Sequence, residues 1–190
     1  MNLRKSDYGT ESETAKGQRM NPIFFVFCEG KTEAAYIDFL RRNFRVPVEI
    51  IAKVSDSNIS DTYIAKCKRD KFSTPADKTF LMFDIDVAGM LERLRKIKDV
   101  ILLLSNPCIE YWFLLHYVDV NRELSTAECL ALLKSKDAYY TKGFFSAGMQ
   151  KIMVEGLENA SLRAKRKEGY SNPSSSIHLL VDEILRFRNR

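Results

Sequence analysis

The chain has 190 residues, of which 45% are hydrophobic and 29% are charged. This composition is typical of an ordinary globular protein, and the length suits one well-buried domain better than two. Thirty Lys and Arg residues against 25 Asp and Glu residues give a net charge of +5. That excess favours an anionic partner, but only mildly.

The cysteines and histidines argue against a zinc site. The four cysteines are widely spaced, no Cys-x-x-Cys pair occurs, and two histidines exclude an all-histidine metal site. Without a secretory signal, such cysteines predict reduced thiols and a cytoplasmic protein. No apolar run approaches the ~20 residues needed to span a bilayer, so no membrane association is expected.

Residues 1–20 differ from the rest of the chain because they contain few large apolar side chains. They are predicted to form a disordered leader. Residues 21–190 are predicted to form a single domain that becomes helical from about residue 107.

Between Pro22 and Leu104, apolar strand-like runs alternate with helical patterns. Strands are predicted at Ile23–Cys28, Val46–Val54, Thr79–Ile85 and Asp99–Leu104, and helices at Thr32–Phe44, Ser57–Asp70 and Ala88–Ile97. This alternation predicts an α/β fold with a mostly parallel sheet and right-handed crossovers. The fourth strand is almost entirely apolar and is expected to be central.

After Pro107 the pattern is helical and no strand is expected. Helices are predicted at Ile109–Tyr117, Cys129–Lys134, Met149–Arg166 and Ser175–Phe187. Met149–Arg166 is predicted to be one uninterrupted helix. Ser125 and Glu128 fit a capping box at the start of the second helix.

Three acidic residues stand where apolar strand patterns end. Glu29 follows the first strand, and Asp84 and Asp86 close the third. Ligands of parallel α/β sheets bind at the carboxyl ends of the strands, and carboxylates there suit a hard cation. The pattern therefore predicts a Mg²⁺ or Mn²⁺ site and phosphodiester chemistry.

Asp84 and Asp86 can be interpreted in two ways. On an extended strand, residues two apart face the same side, so both could bind one metal. Both could instead begin the turn into the next helix. Glu29 favours the metal site, because Gly30 lets the chain turn sharply and present this carboxylate as a general acid–base or a further ligand.

The ordered motifs resemble a known family. A strand-end Glu-Gly followed by a strand-end Asp-x-Asp resembles the topoisomerase–primase (Toprim) fold, and a wider set of segments resembles the RloB-like family. These segments are Glu29-Gly30-Lys31-Thr32-Glu33, Asp84-Ile85-Asp86, the run from Ser105 to His116, Tyr140-Thr141-Lys142, Asn172-Pro173 and the run from His178 to Val181. One departure is Ile109, where an aromatic residue is expected.

The resemblance implies a Toprim-like, metal-dependent nuclease of bacterial defence, from restriction–modification or abortive-infection systems. Expected partners are DNA or RNA, a partner ATPase or other defence subunit, and a second copy of the chain. Two rivals stay open at this point, namely a non-catalytic nucleic-acid-binding or regulatory subunit and another phosphotransfer enzyme such as a nucleotide hydrolase.

Further catalytic candidates lie outside the three acids. Glu110 could bind metal, orient Lys31, or satisfy N–H groups at its helix start. His178 is an active-site candidate, whereas His116 is expected to be a hydrogen-bonded structural histidine. Trp112 is expected in the core.

Several basic residues could contact phosphate. Lys31 follows Glu29-Gly30, and Thr32 is expected to cap the helix that begins there. The P-loop spacing is absent, which excludes an ATP-binding P-loop. The other candidates for nucleic-acid contact are Lys142, Arg163, Lys165, Arg166 and Lys167.

Overall fold

The protein has a mixed α/β architecture built on one five-stranded sheet. The structure, a computed structural model, describes residues 22–45, 49–54, 59–71, 74–167 and 169–188. The leader predicted at residues 1–20 lies outside them. The strands are β1 (Ile23–Cys28), β2 (Glu49–Val54), β3 (Lys78–Asp84), β4 (Ile101–Asn106) and β5 (Ser174–Ser175).

Helices cover both faces of this sheet. They are α1 (Lys31–Phe44), α2 (Asp61–Lys68), α3 (Met90–Leu94), α4 (Ile109–Leu114), α5 (Thr126–Lys136), α6 (Ala147–Glu155), α7 (Leu157–Lys165) and α8 (His178–Arg188). Across the described ranges, none of the helices combines the length and apolarity required to cross a membrane.

The strand order is β2-β1-β3-β4-β5. The first four strands are parallel, and β5 pairs antiparallel with β4 through Ser105–Ser175 and Asn106–Ser174. The prediction of a mostly parallel α/β sheet flanked by helices is confirmed, and the arrangement is consistent with a Toprim-like α/β fold.

Strand β1 is apolar throughout because both faces of the sheet are covered. All six of its residues are buried. Phe24 and Val26 belong to the core shared with α1, α4 and α8. Phe25 and Phe27 belong to a second core that includes residues of α2 and α3. Successive side chains of one strand therefore hold two helical layers on the sheet.

The order of the strands predicts a crevice at one end of the sheet. The chain leaves β1 to form β2 on one side of it and returns to form β3 on the other. Where connections diverge in this way, the helices leave a gap outside the carboxyl ends of the two inner strands. Glu29 and Asp84 lie at that point, since they terminate β1 and β3.

Two expectations about strands were wrong. Strand β4 is not central, because β3 occupies the middle of the order and β4 is flanked by the two-residue β5. The helical second half does contain a strand, β5. Its pairing partners in β4 lie 68 and 70 residues earlier in the chain, so no local apolar pattern marks it.

Helix boundaries differ from the predicted ones at several helices, and three differences matter for the fold. Met149–Arg166 is not one helix, because α6 and α7 are separated at Gly156. Thr32 does not cap α1; Gly30 occupies the cap position. The helix predicted at Ala88–Ile97 shortens to α3, whose cap position holds Gly89 with a φ of 81°.

Close packing explains the break at Gly156. A Cβ atom at this position would lie 2.9 Å from the Ile152 carbonyl oxygen and 3.2 Å from the His116 carbonyl oxygen. Only glycine lets the α6–α7 corner approach the residue that follows α4 so closely.

We expect Gly156→Ala to lower the free energy of unfolding by about 1–3 kcal/mol, because the added methyl group overpacks this corner. Gly148→Ala is the matched control, since its Cβ would meet only the Ser146 hydroxyl at 3.8 Å within α6. It should be neutral or stabilising by up to about 1 kcal/mol. Urea unfolding measures both, and equal effects of the two substitutions would contradict the packing argument.

Candidate functional site

Glu29 and Asp84 are linked directly across neighbouring strands. Glu29 Oε2 accepts a hydrogen bond of 2.8 Å from the Asp84 backbone N–H. The Glu29 N–H in turn donates to the Met82 carbonyl at 3.0 Å. The end of β1 is thereby fixed to the end of β3, and the two predicted acids come together as expected from the parallel pairing.

Glu33 is a member of the site that the sequence argument did not single out. It lies in the first turn of α1, is 6% exposed, and its Oε2 accepts from the Gly30 N–H at 3.0 Å. Burial, with Glu29 and Glu110 nearby, raises the pKa of Glu33. Its position three residues after the cap residue is the capping-box signal that could have identified it.

Glu110 is almost completely buried, at 1% exposure. Its Oε1 accepts from the Tyr140 hydroxyl at 2.9 Å and lies 3.9 Å from Lys142 Nζ. Its Oε2 is buried without a hydrogen-bond partner. The basic residue beside Glu110 is therefore Lys142, not Lys31, and the side chain does not cap the start of α4.

Asp84 is the electrostatic centre of these acids. Burial raises its pKa to about 9, with further contributions from Glu33, Glu29 and Glu110. Its Oδ1 is buried and has no hydrogen-bond partner. We call Glu29, Glu33, Asp84 and Glu110 the acidic cluster. Because like charges in a shielded place repel, a proton or a cation must balance the charge of the cluster.

Asp86 lies at the rim of the cluster. Strand β3 ends at Asp84, so the argument that two residues on one strand face the same side does not apply to this pair. Asp86 is exposed, and its Oδ2 accepts from the Thr126 hydroxyl at 3.1 Å. It still contributes to the raised pKa of Asp84.

His178 lies at the start of α8, away from the contacts of the cluster. It is half-buried, and its Nδ1 is 3.3 Å from the Ser175 carbonyl. Burial lowers its pKa. Among the hydrogen bonds of the described residues, none joins His178 to the acidic cluster, so its catalytic role stays a prediction.

The expectations for His116 and Trp112 are confirmed. Trp112 is fully buried. His116 is 7% exposed, and its Nδ1 lies 3.0 Å from the Trp112 carbonyl. Burial lowers the pKa of His116 to about 4, so at neutral pH it is an uncharged structural residue.

The basic candidates separate into exposed and internally bound side chains. Lys31 and Lys142 are exposed beside the acidic cluster. Arg163 donates to the Leu115 carbonyl, Lys165 pairs with Asp182 at 2.9 Å, and Lys167 pairs with Asp119 at 3.3 Å.

Arg166 is exposed, in contrast to those three neighbours with internal partners. The segment from Arg163 to Lys167 is therefore largely engaged within the fold. Its role in nucleic-acid binding stays a prediction.

The chemistry of the acidic cluster suits Mg²⁺ or Mn²⁺. Its donors are hard carboxylate oxygens, and both Asp84 Oδ1 and Glu110 Oε2 have unused acceptor capacity. Within the described parts of the chain, no group of three or more acidic, histidine or cysteine side chains is arranged as a ready-made metal site. Mg²⁺ does not require one, because it is usually bound by one or two carboxylates plus waters and substrate phosphates.

Comparison with known proteins identifies a family. Residues 24–184 match the family model described as RloB-like protein. Neither the curated proteins nor the solved structures contain a match to the chain.

The raised pKa of Asp84 predicts how stability depends on pH without metal. The unfolded chain loses this proton near pH 3.8, whereas the folded protein keeps it to about pH 9. The unfolded state therefore binds fewer protons between these values, and stability falls as pH rises through that range.

We expect Asp84→Asn to raise the free energy of unfolding in EDTA by on the order of 1–3 kcal/mol at pH 8, and by less at pH 5. Glu92→Gln is the control, because this exposed carboxyl of α3 is not among the groups that raise the pKa of Asp84, and it should change stability by no more than about 0.5 kcal/mol. Urea unfolding at both pH values tests this, and an Asp84→Asn protein that is less stable at pH 8 would contradict it.

Proposed function

The chain belongs to the RloB-like protein family, and we propose that it is a metal-dependent nuclease that hydrolyses phosphodiester bonds of DNA or RNA. The observation that supports this best is Asp84, whose Oδ1 is buried without a partner among three other carboxylates. It stands at the switch point of a parallel sheet, where ligands of such folds bind.

Asp84 is the residue proposed to hold Mg²⁺ or Mn²⁺, assisted by Glu29 and Asp86. A metal ion bound there would supply Lewis-acid stabilisation of phosphate charge and lower the pKa of a bound water. The raised pKa of Asp84 means that metal binding must displace a proton from the cluster, so binding should strengthen as pH rises.

The side chains of the protein have separate proposed roles. Glu29 Oε2 is engaged by the Asp84 N–H, which orients the carboxylate and leaves Oε1 as the atom to accept or deliver a proton. Lys31 and Lys142 place positive charge at the rim, where a phosphate group would approach. Glu33 and Glu110 maintain the negative potential that attracts a cation.

A non-catalytic nucleic-acid-binding subunit is the second candidate. It is favoured by the exposed basic side chains of Lys31, Lys142 and Arg166, which can contact a polynucleotide backbone without catalysis. The role in bacterial defence and the partner ATPase rest only on the sequence resemblance and stay predictions.

The nuclease proposal is tested by two measurements on Asp84→Asn and on the control Glu92→Gln, which changes an exposed acid in α3. Calorimetry with Mg²⁺ or Mn²⁺ should show binding to the wild type and the control but not to Asp84→Asn. Cleavage of mixed DNA and RNA pools should require metal and fall at least about 100-fold in Asp84→Asn, since such metals contribute several kcal/mol.

Metal-dependent cleavage that persists in Asp84→Asn would contradict the assignment of the site. Binding of polynucleotide with no cleavage under any divalent metal would favour the non-catalytic subunit. The two measurements together therefore distinguish loss of metal binding from loss of cleavage activity.

A further inference from the structure

The segment between α5 and α6 carries aromatic side chains of two kinds. We call residues 139–145 the aromatic loop. Tyr140 and Phe145 are buried, at 1% and 6% exposure, and Phe145 packs on Phe113 with ring centroids 5.1 Å apart. Tyr139 and Phe144, in contrast, are 80% and 59% exposed. The buried pair explains the hydrophobicity of the loop only in part, because the exposed rings stabilise no core.

The aromatic loop adjoins the acidic cluster. The Tyr140 hydroxyl donates to Glu110 at 2.9 Å, and Lys142 Nζ is 3.9 Å from the same carboxylate oxygen. A Cβ atom on Gly143 would lie 3.9 Å from the Lys31 carbonyl oxygen, so the loop also borders the start of α1. Tyr139 and Phe144 are therefore chain neighbours of residues that lie against the acidic cluster and the start of α1.

Hydrogen bonds hold the loop in a defined shape. The Tyr139 N–H donates to Asp137 Oδ1 at 3.1 Å, and the Ser146 hydroxyl donates to Asp137 Oδ2 at 3.0 Å. Phe144 N–H donates to the Thr141 carbonyl at 3.0 Å, closing a tight turn. Gly143 has a φ of 79° in this turn, a conformation that other residues rarely adopt. The exposed rings are thus presented on an ordered loop.

The aromatic loop also carries a positive charge. Lys142, whose side chain is 64% exposed, occupies the turn between Tyr139 and Phe144. Exposed aromatic faces beside cations, at the entrance to a phosphate-directed site, match the needs of a polynucleotide, which offers flat bases and a charged backbone.

Resting on the proposed nuclease function, we propose that Tyr139 and Phe144 stack on unpaired bases and select single-stranded regions of the polymer. In a duplex, base faces are covered by neighbouring pairs, so an exposed ring gains a stacking partner only where bases are unpaired. Each stacked base strengthens binding about 5- to 150-fold. Lys142 contacts the backbone beside the stacked bases.

The experiment measures binding rather than cleavage, so it does not depend on the metal. Fluorescence anisotropy in EDTA compares four labelled probes with the full chain: single-stranded DNA, single-stranded RNA, a duplex of the same length, and a single strand in which the bases are replaced by abasic sites. The DNA and RNA arms identify which polymer is bound.

We expect the wild type to bind the better single strand at least 10-fold more tightly than the duplex or the abasic strand. Tyr139→Ala combined with Phe144→Ala should weaken binding of the intact strand at least 10-fold and change abasic-strand binding less than 3-fold. Tyr139→Phe should retain affinity, because the ring is kept. Leu162→Ala, which removes a 55% exposed side chain of α7, should also retain it.

Any of three results would overturn the inference. These are equal losses of affinity for the intact and abasic strands in the double variant, unchanged binding by the double variant, and failure of the wild type to bind any strand. Failure of this inference is distinguishable from failure of the nuclease proposal. Base-dependent binding without metal-dependent cleavage would uphold the stacking surface alone, whereas metal-dependent cleavage by the wild type with binding unchanged in the double variant would uphold the nuclease alone.

Discussion

The accumulation of like charge at one shielded end of the sheet is the constraint on which the rest of this structure depends. Asp84 Oδ1 and Glu110 Oε2 are buried without a hydrogen-bond partner, and Glu33, Glu29 and Glu110 all add to the burial that raises the pKa of Asp84. Burial of an unpaired charged group lowers the stability of the folded state, and neighbouring like charges lower it further. The surrounding fold must therefore supply stability that the acidic cluster removes, as is common at functional sites.

The sheet supplies that stability. Strand β1 is buried on both faces, so one short apolar segment anchors two layers of helices. The parallel register of β1 and β3 brings the ends of both strands to the same level, and the Glu29–Asp84 hydrogen bond fixes them there. The same pairing that builds the core thus positions the charged groups.

The features that sequence reasoning predicted correctly depend on local patterns. The bounds of β1 match the apolar run Ile23–Cys28, and the Ser125–Glu128 capping box is present. The features it missed depend on contacts between distant segments. Strand β5 exists only through pairing with β4, and Tyr140 reaches Glu110 across 30 residues. Glu33 is acidic in the sequence, but only packing against the rest of the fold buries it.

Tyr140 connects the acidic cluster to the aromatic loop. Its hydroxyl contacts the acidic cluster, its ring is buried against Phe113, and its neighbour in the chain is the exposed Tyr139. An aromatic ring wedged in the core cannot shift far without opening a cavity. The distance between the exposed rings and the acidic cluster is thereby set by packing. Under the proposed function, a strand stacked on those rings would run with its backbone beside Lys142, which lies 3.9 Å from the Glu110 carboxylate of the acidic cluster.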